Sequence, residues 1–357
     1  MTPILKILQD EGLECLPCDR INLDSLRFEE YRDAEEHPAE RAFENPTLGQ
    51  SKKHVPNLPP TVPCILQYFL DGSRRTYKIA DLILDGRFLP VVAGQVGVAV
   101  MRRDDQERTR LVPERSFCRF KNLLAFPDRT SESDLLTLSD AINKKARAKF
   151  DLVRYTNKAD RDPVDLGVAR IMSEMQDMEI AVVQAMAREN LLRNDSLLVI
   201  DGPLRFRKNL DVVQFRNVIG LSKSFRPSFT IKKGANRQDV GAITSHLDFA
   251  ERSTVFRTLE DRNVIGMWYL RIRPKCQMAN PLQGTIKLEC FAVEPSEREN
   301  GIEVDRIDCV SAHILRQRNV TPYKTDFRWA SHIYPIFLAE TYLKSSFMSD
   351  TYFRGLF

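Results

Sequence analysis

Several features that would make a function easy to read are missing from this chain. No run of about eighteen apolar residues occurs, so no membrane-spanning helix is expected. Cysteine is sparse: seven residues, odd in number and scattered. Only Cys15 and Cys18 form a C-x-x-C, and no second pair follows at zinc spacing. Reduced thiols in a cytoplasmic protein are therefore expected, with metal binding or redox activity at Cys15/Cys18 the minor alternative. The five histidines are scattered and none forms an H-E-x-x-H pair. No G-x-x-x-x-G-K-[ST] is present, so any use of ATP must belong to a partner. No G-x-S-x-G elbow argues for a serine hydrolase. A large excess of one charge is also lacking: the net charge is +4, so a nucleic-acid footprint must be local. The N-terminal stretch has no signal-peptide layout.

What is present is 357 residues of ordinary globular composition, enough for one large domain or two modest ones. Residues 1–60 read as an N-terminal extension. Ile4, Leu5, Ile7, Leu8 and Leu13 have helical spacing, which suits packing on the chain's own domain or docking on a partner. Glu29–Glu44 is acid-rich and reads as a solvated helix or loop. Pro56, Pro59, Pro60 and Pro63 then mark a boundary, so 61–357 is expected to be the main domain.

The run Leu197-Leu-Val-Ile-Asp201-Gly-Pro-Leu204 suits a buried strand that stops at Asp201, where Gly202-Pro203 breaks it. Cys64–Leu70 is a similar run, followed by Asp71-Gly72-Ser73. Either site suits a plain turn. If the strands are neighbours, Asp71 and Asp201 meet, and two close carboxylates call for a cation, with magnesium or manganese suited to such oxygen ligands. Phe88–Met101 and Ser116–Phe126 read as further strands, making an antiparallel meander with the first. Leu135–Lys149 reads as a helix and Arg154–Asp165 as a loop.

Val168–Leu192 is the strongest helix, free of Gly and Pro. Its apolar stripe includes Met172, Met175, Val182, Val183 and Met186, and Glu179 falls within that stripe. A carboxylate there needs a partner if it is buried. Glu174 instead suits an i,i+4 pair with Arg170. Three strands, a helix with an inward Glu and a strand ending in Asp follow the order of the RNase H-like fold, a fold-level analogy.

Residues 205–238 are the most basic stretch, with Arg205, Arg207, Lys208, Arg216, Lys223, Arg226, Lys232, Lys233 and Arg237 against Asp211 alone. Phe206, Phe215, Phe225 and Phe229 are interleaved. The pattern suits phosphate binding beside a metal, or a solvated basic face over core phenylalanines. Val218–Lys223 reads as a short strand ending at Lys223. Asn263–Arg273 and Thr285–Val293 read as neighbouring strands and Asp305–Arg316 as a helix. Tyr334–Leu343 reads as a last helix entered through Pro335, carrying Glu340 and preceded by His332.

Taken in order, Leu70-Asp71-Gly72-Ser73, the helix with Glu179, Ile200–Leu204, Ile219–Lys223, Trp268–Arg271 and Tyr334-Pro335 leading into Leu338-Ala339 resemble the NurA family of nucleases over about residues 64–345. The resemblance implies an α/β, RNase H-like mixed sheet with flanking helices. It implies a manganese- or magnesium-dependent deoxyribonuclease that cuts single-stranded DNA internally and degrades DNA from 5′ ends by two-metal hydrolysis. It also implies a homodimer docked on a hexameric HerA-type ATPase, in DNA repair or antiviral defence, with no membrane attachment. By position, Asp71, Glu179 and Asp201 would hold metal. Lys223 would contact phosphate, alongside Arg205, Arg207, Lys208 and Arg226 on the DNA. Family members often carry a histidine where this chain has Glu340. Either Glu340 is the fourth metal ligand, His332 takes the histidine's role, or the site is impaired and the protein merely caps the ATPase and binds DNA.

Overall fold

The computed structural model describes residues 2–20, 22–26, 41–104, 109–158, 160–206, 210–233, 236–260, 262–318 and 327–357. Its centre is a long hairpin. Strand β1 (Leu66–Leu84) and strand β2 (Arg87–Arg103) pair antiparallel from Tyr68↔Arg102 to Leu84↔Arg87. Asp85 and Gly86 close the hairpin with φ of 50° and 70°, the left-handed pair that a two-residue turn between twisted strands requires. Strand β3 (Arg119–Pro127) pairs antiparallel with β2, completing the expected meander. The segment expected as a loop from Arg154 begins instead inside strand β4 (Asp151–Tyr155), parallel to β3. Its backbone groups are satisfied there by the sheet edge.

On the other side of β1 lie β5 (Leu197–Asp201) and β6 (Val218–Ser222), both parallel to it. Next come β8 (Thr285–Phe291), antiparallel to β6, and β7 (Asn263–Arg271), antiparallel to β8. The order through the centre is thus β7-β8-β6-β5-β1-β2-β3-β4, within a mixed sheet of 13 strands. Two short strands of the first sixty residues join the same sheet: Cys15–Pro17 pairs with β1, and Lys52–His54 pairs with Glu251–Ser253.

Helices cover both faces. Helix α1 (Ile4–Asp10) buries Ile4, Leu5, Ile7 and Leu8 with Tyr77, Ile79, Val91 and Phe353 of the same chain. Helix α2 (Glu132–Lys145) starts at Ser131, whose hydroxyl accepts from the Asp134 amide. Helix α3 (Pro163–Arg188) starts at Asp162, which accepts from the Val164 amide at 2.8 Å, with proline in the first turn. It packs on the β1–β2 half through Ile171, Met175, Val182, Val183 and Met186, over Leu70, Leu198 and Ile200. Helices α4 (Val304–Gln317) and α5 (Tyr334–Ser346) cover the opposite face, where Ile307, Val310, Ile336 and Ala339 meet Phe69, Val199 and Leu221. Side chains alternate along each strand, so successive residues serve different helical layers. Among the described residues no helix is long and apolar enough to cross a membrane.

Glu44, expected at the end of a solvated acidic segment, is 1 % exposed. Of that segment, residues 29–40 lie outside the described residues. Arg252 Nη1 donates to Glu44 at 2.9 Å and Arg252 Nε donates to Asp308 at 2.6 Å; Thr254 donates to Glu44 and Lys53 to Asp308. Truncating one member strands the others in a low-dielectric interior. Glu44→Ala is expected to cost about 3–5 kcal/mol, read as a fall in the urea midpoint with unchanged slope.

Candidate functional site

Asp71 does not end its strand. The sequence suggested that β1 closes on Asp71-Gly72-Ser73, but pairing with β2 carries it 13 residues further, to Leu84. The lip is made by the neighbour. β5 stops at Asp201, where Gly202 takes φ of 120° and Pro203 follows. Leu70 pairs with Ile200, so Asp71 and Asp201 stand side by side, about 5 Å apart at Cα, where β5 gives out and β1 runs on. Asp71 is 5 % exposed. Burial, then the charge of Asp201, push its carboxyl well above the usual range; Lys223 opposes this, and Glu340 and Glu179 add to it.

Asp71, Asp201 and Lys223 extend the rows of Phe69, Val199 and Leu221, so they belong to the α4–α5 face. Glu179 arrives from the other side, on α3. Its expected burial holds: it is 8 % exposed, among Met175, Met178, Val182 and Val183. Its Oε1 lies well inside contact distance of where a Cβ on residue 72 would be, so a side chain there would displace the carboxylate from this approach. Burial first, then Asp201, raise its pKa to about 8. Met172, assigned to the same stripe, is instead 39 % exposed, because the stripe drifts off the sheet there. Glu174 pairs with Arg170 at 2.6 Å, as its spacing suggested.

Lys223 follows the end of β6 and donates to Asp201 Oδ2 at 2.8 Å. Burial pulls the ammonium pKa down, but Asp201, Asp71 and Glu340 outweigh it, and the net shift is upward. Glu340 sits on α5 and is bonded to Lys344 one turn on. Burial raises its pKa, yet Lys344, Lys223 and His332 reverse this and hold it below the ordinary value. His332 is 5 % exposed, just before α5. The structure thus brings Asp71, Asp201, Lys223, Glu340 and His332 to one edge, with Glu179 reaching in through the gap at Gly72.

The basic stretch is less uniform than its sequence. Arg207 and Lys208 lie outside the described residues, as do the side chains of Lys232 and Lys233. Arg205 is largely buried, with its Nε 3.9 Å from Glu260. Arg226 is exposed. The phenylalanines are core residues: Phe206, Phe215 and Phe229 are 5 %, 0 % and 8 % exposed, and Phe225 stacks on Tyr269. Of two supports that the sequence reading missed, one had no clear sequence signal. Glu289, 0 % exposed, accepts from the Leu204 amide at 2.8 Å and is held by Lys287 at 3.0 Å, which fixes the turn after Asp201. Glu340–Lys344 was readable as an i,i+4 pair.

The donors suit a hard divalent cation. All are carboxylate oxygens, two are nearly fully buried, and among the described residues neither Asp71 nor Glu179 accepts a hydrogen bond. Four acids share this region with Lys223 and Lys344; burial keeps Asp71 and Glu179 from ionising readily, and a cation is what would let all four carry charge together. Among the described residues no three His, Cys, Asp or Glu side chains yet converge at ligand distance. Lys223 holds one oxygen of Asp201, and Glu179 stands on the far layer.

The Glu179 shift has a signed consequence. The folded chain holds this proton to about pH 8, the unfolded chain to about 4.5. Stability from this group is therefore lost as pH rises between those values. In chelator, Glu179→Gln is expected to exceed wild type by a few kcal/mol at about pH 9, with the gap gone by about pH 4.5, measured by urea unfolding across pH.

Compared with known proteins, the chain matches no family model and no curated protein at significant similarity.

Proposed function

We propose that this chain is a manganese- or magnesium-dependent deoxyribonuclease of NurA type, with an RNase H-like core. The observation that carries the reading is that Asp71 and Asp201 each follow the last paired residues of β1 and β5, Leu70 and Ile200, with Glu179 lying against Gly72 from the other layer. The strand order supports the core: β3-β2-β1 antiparallel, then β5 and β6 parallel to β1, is the arrangement expected of an RNase H-like sheet. Residues 1–60 add two strands and a helix to this sheet, and β7 and β8 extend it.

Asp71, Asp201 and Glu179 would hold the cation, with Glu340 completing the set from α5. Bound there, it supplies a water acidic enough to attack at neutral pH and charge to offset that of a phosphodiester. Lys223, tied to Asp201, is poised to shift its ammonium to a phosphate oxygen, which frees the carboxylate for metal. The buried setting of Asp71 excludes water that would otherwise screen these charges. The substrate is DNA, cut internally in single strands and degraded from 5′ ends. The partner is a hexameric HerA-type ATPase bound by a homodimer, in repair or defence. The setting is cytoplasmic.

One observation favours a second reading, a catalytically impaired subunit that caps the ATPase and binds DNA. Glu340 replaces the family's histidine and is already committed to Lys344. The test is cleavage of labelled single-stranded DNA with manganese. Asp71→Asn and Asp201→Asn are each expected to lower the rate at least 100-fold, about 2.7 kcal/mol of transition-state stabilisation, without loss of folding. Wild type without metal-dependent cleavage, alone and with the ATPase, would leave only the capping role.

Glu340 acts on both Asp71 and Lys223, whereas His332 acts on Glu340. Glu340→Gln is therefore expected to reduce cleavage more than His332→Ala in the same assay. Duplex degradation is expected only with the ATPase added.

A further inference from the structure

Beyond the end of β7, two arginines have no acidic partner among the described residues. Arg273 is 4 % exposed; its Nε donates to the Ala330 carbonyl at 3.3 Å and its Nη2 has no partner. Its guanidinium lies over Trp329, 4.6 Å from the ring centroid. Arg318, at the end of α4, lies over Phe249 at 5.3 Å and donates to the Leu315 carbonyl at 2.8 Å. Among the described residues neither forms an ion pair. Burial, then repulsion from Arg318, pull the Arg273 pKa down to about 10. Arg271 differs: it holds the Gln283 and Pro281 carbonyls and so straps the loop that follows. Two like charges in a half-buried site are costly unless an anion neutralises them. The ring contacts at 4.6 and 5.3 Å help to hold both guanidinium groups in place, and guanidinium donors suit phosphate oxygens.

The location adds to this. Ser222 pairs with Lys287 and Arg271 with Thr285, so the end of β7 lies at the same sheet edge as Asp201 and Lys223. β6 and β7 are two strand spacings apart, about 10 Å. The turn Phe327–Ser331 spans that interval: Trp329 covers Arg273, Ser331 donates to the Thr285 carbonyl, and His332 follows beside Glu340.

The geometry points to a second phosphate position, in which Arg273 and Arg318 grip a phosphodiester of the DNA strand several nucleotides along from the phosphate at Asp71 and Asp201. This rests on the nuclease reading above. Free inorganic phosphate shares the chemistry, and the experiment separates the two sources.

Binding of a labelled oligothymidylate to the full chain is measured by anisotropy in chelator across a salt series. Arg318→Gln and Arg273→Gln are each expected to weaken binding about tenfold or more and to reduce the log–log salt slope by about 0.7. Arg318→Lys is expected to restore the slope but not the full affinity. Manganese affinity by calorimetry stays unchanged, and the melting midpoint of Arg318→Gln does not fall. Arg318→Gln carries the test if Arg273→Gln fails to fold. Unchanged affinity and slope in Arg318→Gln would overturn the proposal while metal-dependent cleavage by wild type left the nuclease reading standing. Stabilisation of wild type by inorganic phosphate, lost in Arg318→Gln, with no oligonucleotide bound by either, would overturn the strand assignment and the nuclease reading together.

Discussion

A single strand pairing sets the terms for the rest of this molecule. β1 and β5 run parallel for only a few residues, and where β5 stops two carboxylates are left adjacent. Parallel pairing between distant segments requires both faces to be covered, and α3 on one side with α4 and α5 on the other do so. That cover removes the water that would let the two charges coexist. The cost of Asp71 beside Asp201 is a consequence of the apolar layers that hold the sheet together, and it is what the proposed cation would offset.

The meander, the long helix, the inward Glu179 and the strand ending at Asp201 were legible because each is a local pattern. Val and Ile runs, an uninterrupted helical period and Gly-Pro all act within a few residues. Asp-Gly shows the limit of such reading. It occurs at 71–72, 85–86 and 201–202, and the three have different fates. At 85–86 it is the hairpin turn, at 201–202 a strand end, and at 71–72 it lies in mid-strand. The dipeptide is identical; the length of paired strand on either side decides, and that belongs to the partner strand.

The same distinction explains the site. Asp71 and Asp201 were visible as acids after apolar runs, but not which layer each faces. Layer is set by strand parity, and parity put them with α5 and put Glu179 opposite. The phenylalanines of the basic stretch, adjacent in sequence to cations, are taken into the core by long-range packing. The anchoring of Leu204 by Glu289 joins residues 85 apart and left no trace in either neighbourhood.

Gly72 gives the sheet a hole. Strand side chains otherwise separate the two helical layers. Here, as at Gly94 and Gly97 of β2, the wall is bare backbone, and at Gly72 a charge on α3 is felt by Asp71 on the far side. A shift of α3 along its axis, of the kind an outside contact on its solvent face would impose, therefore reaches the carboxylates directly, without any movement of the strands between them. Through this opening Glu179 on α3 and Glu340 on α5, on opposite layers, both act on Asp71.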